Sequence, residues 1–262
     1  MNIEWLNAAA GFGVGVLVGL TGVGGGALMT PIMVLLFGVA PGIAVGTDLW
    51  FAAITKMVGG AVHGKTGTID WQVLRRMFYG SLPASMLTLI WLHWSGIGRS
   101  HNTAIVSALG AVLILTSLAA MFRKRFHAIG ERLRAGSPER FKAAQPVATV
   151  ICGAILGFLV TFTSIGAGAL GAVMLLYLYP RRMSPKTLVG TDIVHAIPLT
   201  VLAGTGHLLM GNVNFGLLGA LLVGSIPGIL LGSLGATHAP EKVIRTAISM
   251  VLLAVGAKML LF

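Results

Sequence analysis

The sequence predicts an all-α integral membrane protein built from two repeats, and three observations carry that prediction. Apolar residues dominate the composition, and long apolar runs follow one another along most of the chain. A glycine-rich stretch at residues 20–28 interrupts the first apolar run, and a related stretch returns at residues 162–170. A polar motif and its surroundings also occur twice at a constant spacing. Together these features are typical of membrane proteins with internal repeats.

Composition excludes a soluble globular protein. Of the 262 residues, 56% are hydrophobic and 10% are charged, and the mean hydropathy is +0.91. Soluble domains carry about 25% charged residues. With the glycine-broken elements, the apolar runs form two sets of four hydrophobic segments, about eight in total, and several approach the ~20 residues that a spanning helix needs. The clearest runs lie at 42–63, 77–93, 103–122, 187–210, 214–234 and 243–262.

The chain has a net charge of +11, and one basic segment, residues 123–142, carries seven of its 18 lysines and arginines. Its basic residues are not interleaved with aromatic ones, as they are on nucleic-acid surfaces, and a cytoplasmic loop that obeys the positive-inside rule explains them. We therefore assign residues 1–122 to a first transmembrane repeat, 123–145 to a basic cytoplasmic linker and 146–262 to a second transmembrane repeat. The single cysteine, Cys152, excludes an intrachain disulfide.

An internal duplication is visible in the alignment of residues 189–228 on residues 45–84, in which twelve of 40 positions are identical without gaps. Apolar composition alone would match many leucine and alanine pairs. It would not match a Thr-Asp pair, a histidine, a serine and a proline in register. The shared polar residues are Thr47/Thr191, Asp48/Asp192, His63/His207 and Ser81/Ser225.

The two glycine-rich stretches are expected to break helices inside the membrane, because each helical glycine costs about 1 kcal/mol relative to alanine. Lipid tolerates a break only where protein buries it or where it lines a cavity. A break leaves free N–H groups at a helix N-terminus, which attract anions, so we expect the two breaks to meet and form an anion site. The hydroxyl groups beside them could bind the anion or could equally satisfy freed backbone carbonyls. The expected substrate-binding residues are Thr21, Gly24, Gly25, Gly26, Thr47, Thr163, Ser164, Gly166, Gly168 and Thr191.

The segments beside the first break, residues 7–20 and 27–37, are each too short to span a membrane and suit a re-entrant element. Gly11, Gly15 and Gly19 recur every four residues and predict a face on which another helix packs closely. If each glycine-broken element is a hairpin that enters and leaves on one side, the basic loops share one face, as the positive-inside rule requires. The two repeats are then inverted, and each consists of a re-entrant hairpin followed by three spanning helices.

Asp48 and Asp192 are the acids expected inside apolar segments. A carboxylate there costs several kcal/mol and usually serves a function, here coupling to a driving ion. The alternative is that each caps a helix near an interface, because Thr-Asp at a helix start is good capping chemistry. Lys56 is a single base in the first repeat and is matched by Thr200 in the second. It could neutralise Asp48, bind an anion or extend its amine to the surface.

Three histidines are further candidates for coupling or for a proton relay. His195 lies three residues after Asp192, so both are on one helix face and could carry a proton between them. His63 and His207 correspond in the two repeats. A histidine near a helix end is more often interfacial than functional, so both interpretations stay open for this pair.

With these motifs in view, the chain resembles the TauE/SafE sulfite exporter family of membrane transporters. The resemblance covers roughly residues 8–122 and 147–260 and is carried by Val23-Gly24-Gly25-Gly26, Val45-Gly46-Thr47 and Gly67-Thr68-Ile69-Asp70-Trp71. It implies secondary transport of sulfite, sulfonates and related organosulfur anions by a multi-pass protein of the bacterial inner membrane, with two repeats of about four hydrophobic segments. The family pattern often has serine at the positions of Asp48 and Asp192. An acid at these positions could supply proton or cation coupling, or it could signal a different solute.

The sequence therefore favours a secondary transporter of a small sulfur-containing anion in the lipid bilayer, with H+ or Na+ as the coupling ion. A passive anion channel is an alternative, and so is a transporter of another small solute or of a metal ion, although the sequence lacks clusters of Cys and Met ligands. An enzyme is not expected, because no Ser/His/Asp triad or His-Glu-x-x-His motif stands out. We expect no cofactor, no resident metal and no nucleic-acid partner; a homodimer is possible.

Overall fold

The computed structural model describes residues 2–21, 26–63, 69–96, 103–235 and 241–261. No β-strand occurs in these ranges, so the predicted all-α class is confirmed for them. Their helices are α1 (Asn2–Thr21), α2 (Gly26–Leu35), α3 (Pro41–His63), α4 (Trp71–Ser95), α5 (Thr103–Met121), α6 (Arg123–Gly136), α7 (Pro138–Thr163), α8 (Ala169–Leu178), α9 (Pro185–Leu209), α10 (Phe215–Gly235) and α11 (Glu241–Leu261).

The helices before and after α6 follow the same order: a long helix, a break, a ten-residue helix and three more long helices. The main packing contacts join the two halves, with α1 against α10, α4 against α7, α3 against α9 and α5 against α11. By position in the two halves, α1 corresponds to α7 and α4 corresponds to α10. The first two contacts therefore each join a helix to the counterpart of another helix, whereas the last two each join a helix to its own counterpart. The halves therefore interlock along an interface that runs through the molecule.

The helices that precede the breaks are longer than predicted. α1 has 20 residues and α7 has 26, which is about 30 and 39 Å at 1.5 Å per residue. α1 takes in the polar residues before position 7, but its apolar part, Trp5–Leu20, is still a short apolar helix below the length of a candidate span. The expected half-membrane element therefore stays a prediction. α7 similarly includes residues 138–145, which the sequence assigns to the linker. The short elements are α2 and α8, which follow the breaks.

By length and hydropathy, α7, α9 and α10 are each able to cross a membrane. A fourth span results if α5 and α6, which are bent by 67° relative to each other, are counted as one. These are findings for the described residues, and the arrangement of eight segments in two inverted repeats stays a prediction.

Large apolar side chains face outward on many of the helices. Such a surface is unfavourable in water and suits contact with the hydrocarbon core of a bilayer. The most exposed of these side chains include Trp5, Tyr79, Trp94, Leu209, Val223 and Leu234.

Two rows of glycines bring α1 and α10 into close contact. A Cβ atom on Gly15 would overlap the carbonyl oxygen of Ser225, and one on Gly224 would overlap that of Ala8. The close packing predicted from the glycine spacing on α1 is therefore confirmed, and the counterpart pair of α4 and α7 packs in the same way. The two rows are Gly11, Gly15 and Gly19 on α1 and Gly224, Gly228 and Gly232 on α10.

The second glycine-broken element folds back on itself. The side-chain amide of Gln145, in the first part of α7, donates to the carbonyl oxygen of Leu178 at the end of α8, at 2.6 Å. The Thr149 hydroxyl forms a hydrogen bond with the Tyr179 hydroxyl at 2.7 Å. The chain thus leaves this element at the end where it entered, as a hairpin does. The corresponding break of the first half, residues 22–25, lies outside the described residues.

Candidate functional site

The second break is a short buried turn between α7 and α8. Ser164 follows the last residue of α7 in a left-handed conformation with a φ of 60°. Gly166 has a φ of 120°, which glycine adopts without steric cost. The Thr163 hydroxyl donates to the Leu159 carbonyl oxygen at 2.6 Å and accepts from the Ile165 N–H at 3.2 Å. Thr163 therefore satisfies backbone groups beside the break, which is one of the two roles considered for its hydroxyl.

The first turn of α8 faces a carboxylate of the protein itself. Gly168 is the N-cap of this helix and offers no side chain to its free N–H groups. The Oδ1 atom of Asp192 lies 3.1 Å from the place that a Cβ atom on Gly171 would take, and it accepts no hydrogen bond from the described residues. The helix N-terminus that the sequence offers to an anion thus has an acidic side chain beside it.

Lys56 crosses from the first half to this break. Its Nζ atom donates to the Ala167 carbonyl oxygen at 3.0 Å and lies 3.4 Å from Oδ2 of Asp192. Both charged side chains are 6% exposed, and Lys56 is the one lysine or arginine that is buried among the described residues. Of the three roles considered for Lys56, neutralisation of an acid is therefore observed, but the acid is Asp192 and not Asp48.

Asp48 has a different environment from its counterpart. It is fully buried, and its Oδ2 atom accepts a hydrogen bond from the Thr30 hydroxyl of α2 at 2.5 Å. The Ser164 hydroxyl lies beside this carboxylate, although neither it nor Oδ1 of Asp48 has a hydrogen bond of standard geometry with a described residue. No salt bridge to Asp48 occurs in the described part of the chain. Asp48 thus also lies beside the second break, but its neighbour there is the Ser164 hydroxyl and not a cation.

The helix-capping alternative for the two acids is wrong. α3 begins at Pro41 and α9 at Pro185, so each acid lies well inside its helix. The cap of α9 is Ser184, whose hydroxyl accepts from the Thr187 N–H at 3.2 Å. Both acids are therefore interior carboxyl groups, and their burial needs another explanation.

The threonines of the duplicated motif bind backbone groups of the opposite half. The Thr47 hydroxyl accepts from the Asn214 N–H at 3.0 Å, and the Thr191 hydroxyl accepts from the Asp70 N–H at 3.1 Å. Both hydroxyls are fully buried. In this structure the two threonines, which the sequence analysis expects at the anion site, hold helix starts in place.

His195 and His207 are buried, but the predicted pair of Asp192 and His195 is not observed as a hydrogen bond among the described residues. Nε2 of His195 instead bonds with the Ser81 hydroxyl of α4 at 2.9 Å, because Asp192 is turned towards Lys56. Nε2 of His207 bonds with the Thr161 carbonyl oxygen at 2.9 Å. In the described residues, no three His, Cys, Asp or Glu side chains come together as a metal site would require.

Several predicted site residues lie where the structure supports no description. Gly24 and Gly25 lie outside the described residues, as do the side chains of Thr21 and His63 and the surroundings of Gly26. The meeting of the two breaks in one anion site therefore stays a prediction. The second break, Lys56 and the two acids are the part of the site that the structure brings together.

Besides the pairing of Lys56 with Asp192, the contacts of two residues in this region, Thr30 and Arg182, were not predicted from the sequence. Thr30 lies in an apolar run with no motif around it, and nothing marks it as the partner of Asp48. Arg182, in the loop after α8, donates to Oδ1 of Asp70 at 2.7 Å and to the Gln72 side chain at 2.8 Å. The positive charge of that loop is visible in the sequence, but its pairing with the start of α4 depends on the packing.

Comparison with known proteins identifies relatives along the whole chain. A family model described as "Sulfite exporter TauE/SafE" matches residues 7–259. The chain is 37% identical over 255 residues to "Probable membrane transporter protein YjnA" of Bacillus subtilis (strain 168), which covers 95% of this chain and 97% of that protein. It is 28% identical to a probable membrane transporter protein of Methanocaldococcus jannaschii, over 96% of this chain and 93% of the relative. No solved structure matches the chain.

These findings confirm the resemblance inferred from the glycine-rich and Gly-Thr motifs. The names of the relatives describe membrane transporters and not enzymes. Because the family model covers nearly all residues and a relative with 37% identity matches along almost its full length, this multi-pass membrane protein belongs to the TauE/SafE sulfite exporter family of membrane transporters.

Proposed function

We propose that the protein is a secondary active transporter of small sulfur-containing anions, namely sulfite, sulfonates or related organosulfur compounds, in a bacterial inner membrane. The description of the family model as a sulfite exporter supports the substrate class. The positive net charge of the linker supports a cytoplasmic face at that segment.

The observation that carries the proposal is the position of Lys56 at the second break. Its amine binds the Ala167 carbonyl oxygen of the turn, in the interior of a molecule whose outer surface is apolar. A buried ionisable group in a membrane protein costs free energy and usually marks a pathway for a solute or an ion. At such a place the cation attracts an anion that leaves water, and the N-terminus of the broken helix offers it backbone N–H groups.

The two buried acids supply the coupling in this proposal. A transported anion is repelled by a carboxylate, so acids next to an anion site need a reason to be there. Uptake of H+ or Na+ by Asp48 and Asp192 removes the repulsion and links the movement of the anion to that of the driving ion. The burial of both acids, and their contacts with the second break or with Lys56, support this role.

Two inverted repeats would give the alternating access that such a transporter needs. The exchange of corresponding helices between the halves, with α1 on α10 and α7 on α4, is the arrangement expected if one half moves against the other. The second-half hairpin lies in that interface, so its movement would open the site on one side or the other.

Reconstituted full-length protein tests this function. A thermal-shift panel of sulfite, sulfate, thiosulfate, taurine and sulfoacetate first identifies the anion that stabilises the protein most. Proteoliposomes are then loaded with the labelled anion or exposed to it, with and without an imposed gradient of H+ or Na+. Accumulation against the concentration gradient that collapses when an ionophore removes the ion gradient is the expected result. Equilibration without accumulation would identify a passive channel, and stabilisation by metal ions alone would favour a metal transporter.

A further inference from the structure

The buried positive charge of the site has no counterpart in the second half. Thr200 occupies the position that corresponds to Lys56, and its hydroxyl donates to the Ala196 carbonyl oxygen of its own helix at 2.8 Å. The two halves are therefore not equivalent in charge, although both carry the Gly-Thr-Asp motif. Among the described residues, an anion that enters the interior meets one buried fixed positive charge, and that charge is at the second break.

The ion pair of Lys56 and Asp192 is loosely made. Charge-assisted hydrogen bonds between an ammonium and a carboxylate are usually about 2.7–2.9 Å long, whereas Nζ of Lys56 lies 3.4 Å from Oδ2 of Asp192. The other oxygen of Asp192 accepts no hydrogen bond from the described residues. Lys56 keeps its shorter bond to the Ala167 carbonyl oxygen. The lysine is thus held by the turn, while the carboxylate rests on one long contact.

We infer that Lys56 is the counter-charge of the transported anion and that Asp192 occupies the anion's position while the site is empty. This inference rests on the transport function proposed above. The Asp192 carboxylate contacts Lys56 through Oδ2, and its Oδ1 lies beside Gly171 in the first turn of α8. A sulfonate or sulfite group at this place would find the lysine cation and the positive end of the α8 dipole together. Binding of the anion displaces the carboxylate from Lys56.

Charge balance then determines what happens to Asp192. The empty site holds Lys56 as a cation and Asp192 as an anion. A bound monovalent anion in addition would leave a net negative charge in a poorly solvated interior, which is costly. Uptake of one proton from solution by the displaced carboxylate restores neutrality. One proton therefore binds with each monovalent anion, and no bond is formed or broken besides the O–H bond of Asp192.

Few other ionisable groups face Asp192. Lys56 of α3 is the described charged side chain that contacts Asp192. His195 of α9 lies near Lys56 and bonds with Ser81 of α4, and Asp48 of α3 lies beside Thr30 and Ser164. α7 and α8 contribute the apolar Leu156 and Gly171. The binding-linked proton is thus assigned to Asp192, and the His195 ring stays with its serine partner.

Binding of isethionate to purified full-length protein tests the assignment, because a sulfonate stays ionised at every working pH and takes up no proton itself. Its dissociation constant is measured by calorimetry across a pH series on both sides of neutrality. One linked proton makes the wild-type constant rise about tenfold per pH unit on the alkaline side. Asp192→Asn leaves Lys56 without its carboxylate in the empty site, so its melting temperature is first measured to verify the fold. The folded variant should bind isethionate at least as tightly and lose this pH dependence. The exposed acid variant Glu139→Gln, also a carboxyl-to-amide change, should keep it.

A second experiment removes Lys56 and tests whether its charge binds the anion. Lys56→Met alone leaves a buried carboxylate without its cation and is prone to misfold, so the double variant Lys56→Met/Asp192→Asn is used, in which the pair is neutral. It should melt near the wild-type temperature and show at least a tenfold loss of isethionate binding. The inference is overturned if Asp192→Asn keeps the wild-type pH slope or if the double variant binds normally. Wild-type protein that binds none of the sulfur anions would instead remove the proposed function, and this inference with it.

Discussion

The backbone N–H of Asp70 donates to the Thr191 hydroxyl at 3.1 Å and so joins the start of α4 to α9. The corresponding residues, Asn214 and Thr47, make the same contact from the second half to the first, at 3.0 Å. Asp70 and Asn214 also cap α4 and α10, since Oδ1 of each accepts the N–H three residues later. The duplicated halves thus make the same contacts even at a position where the residues differ, Asp70 in one half and Asn214 in the other.

Loss of the Thr191 hydroxyl should destabilise the protein. Thr191→Val removes the acceptor of a partly buried N–H group, which costs about 1–3 kcal/mol, whereas Thr191→Ser keeps it. Thr205→Val on the same helix is the matched control, because that hydroxyl is exposed and donates to the Val201 carbonyl oxygen of its own helix. Its effect should stay within about 0.5 kcal/mol. Thermal and denaturant unfolding in detergent measure the difference, and equal losses in both valine variants would contradict the role given to Thr191.

Gly224→Ala should separate α1 from α10. The added Cβ atom would overlap the backbone of Ala8, and a backbone cannot move aside as a side chain can. Gly219→Ala on the same helix is the matched control, because nothing lies within 4 Å of its added Cβ atom. Alanine is the better helix former by about 1 kcal/mol, so this variant should be neutral or slightly more stable. A Gly224→Ala variant that melts with the control would show that the glycine rows are not required.

The features that were predicted correctly depend on short stretches of sequence. The glycine spacing on α1 and the burial of the acids follow from residues a few positions apart. The partners of the acids could not be predicted in this way, because Lys56 and Asp192 lie 136 positions apart in the chain, and Thr30 belongs to an apolar run. The spacing of Asp192 and His195 correctly gave a shared helix face, but helices from the other half decide which partner each side chain takes.

The orientation of the chain is a further prediction. The segregation of the basic loops places the N-terminus opposite the linker, so single cysteines at Asn2 and at Ser137 should react with membrane-impermeant reagents from opposite sides of the membrane. The native Cys152 is first replaced by alanine to give a cysteine-free background. Labelling of both positions from one side would contradict the inverted arrangement proposed for the repeats.

The variant Asp48→Asn should distinguish the role of Asp48 from that of Asp192. Asparagine keeps an oxygen that accepts the Thr30 hydrogen bond, and it cannot take up a proton or hold a cation by charge. Because Asp192 and Lys56 are intact in this variant, isethionate binding should keep its pH dependence. Gradient-driven accumulation in proteoliposomes should fall, since one of the two acids no longer responds to the driving ion. The measurement is the ratio of internal to external anion with and without an imposed gradient, compared with Thr30→Val, which removes only the hydroxyl. An unchanged ratio in Asp48→Asn, together with reduced stability in Thr30→Val, would assign Asp48 a structural role and leave coupling to Asp192.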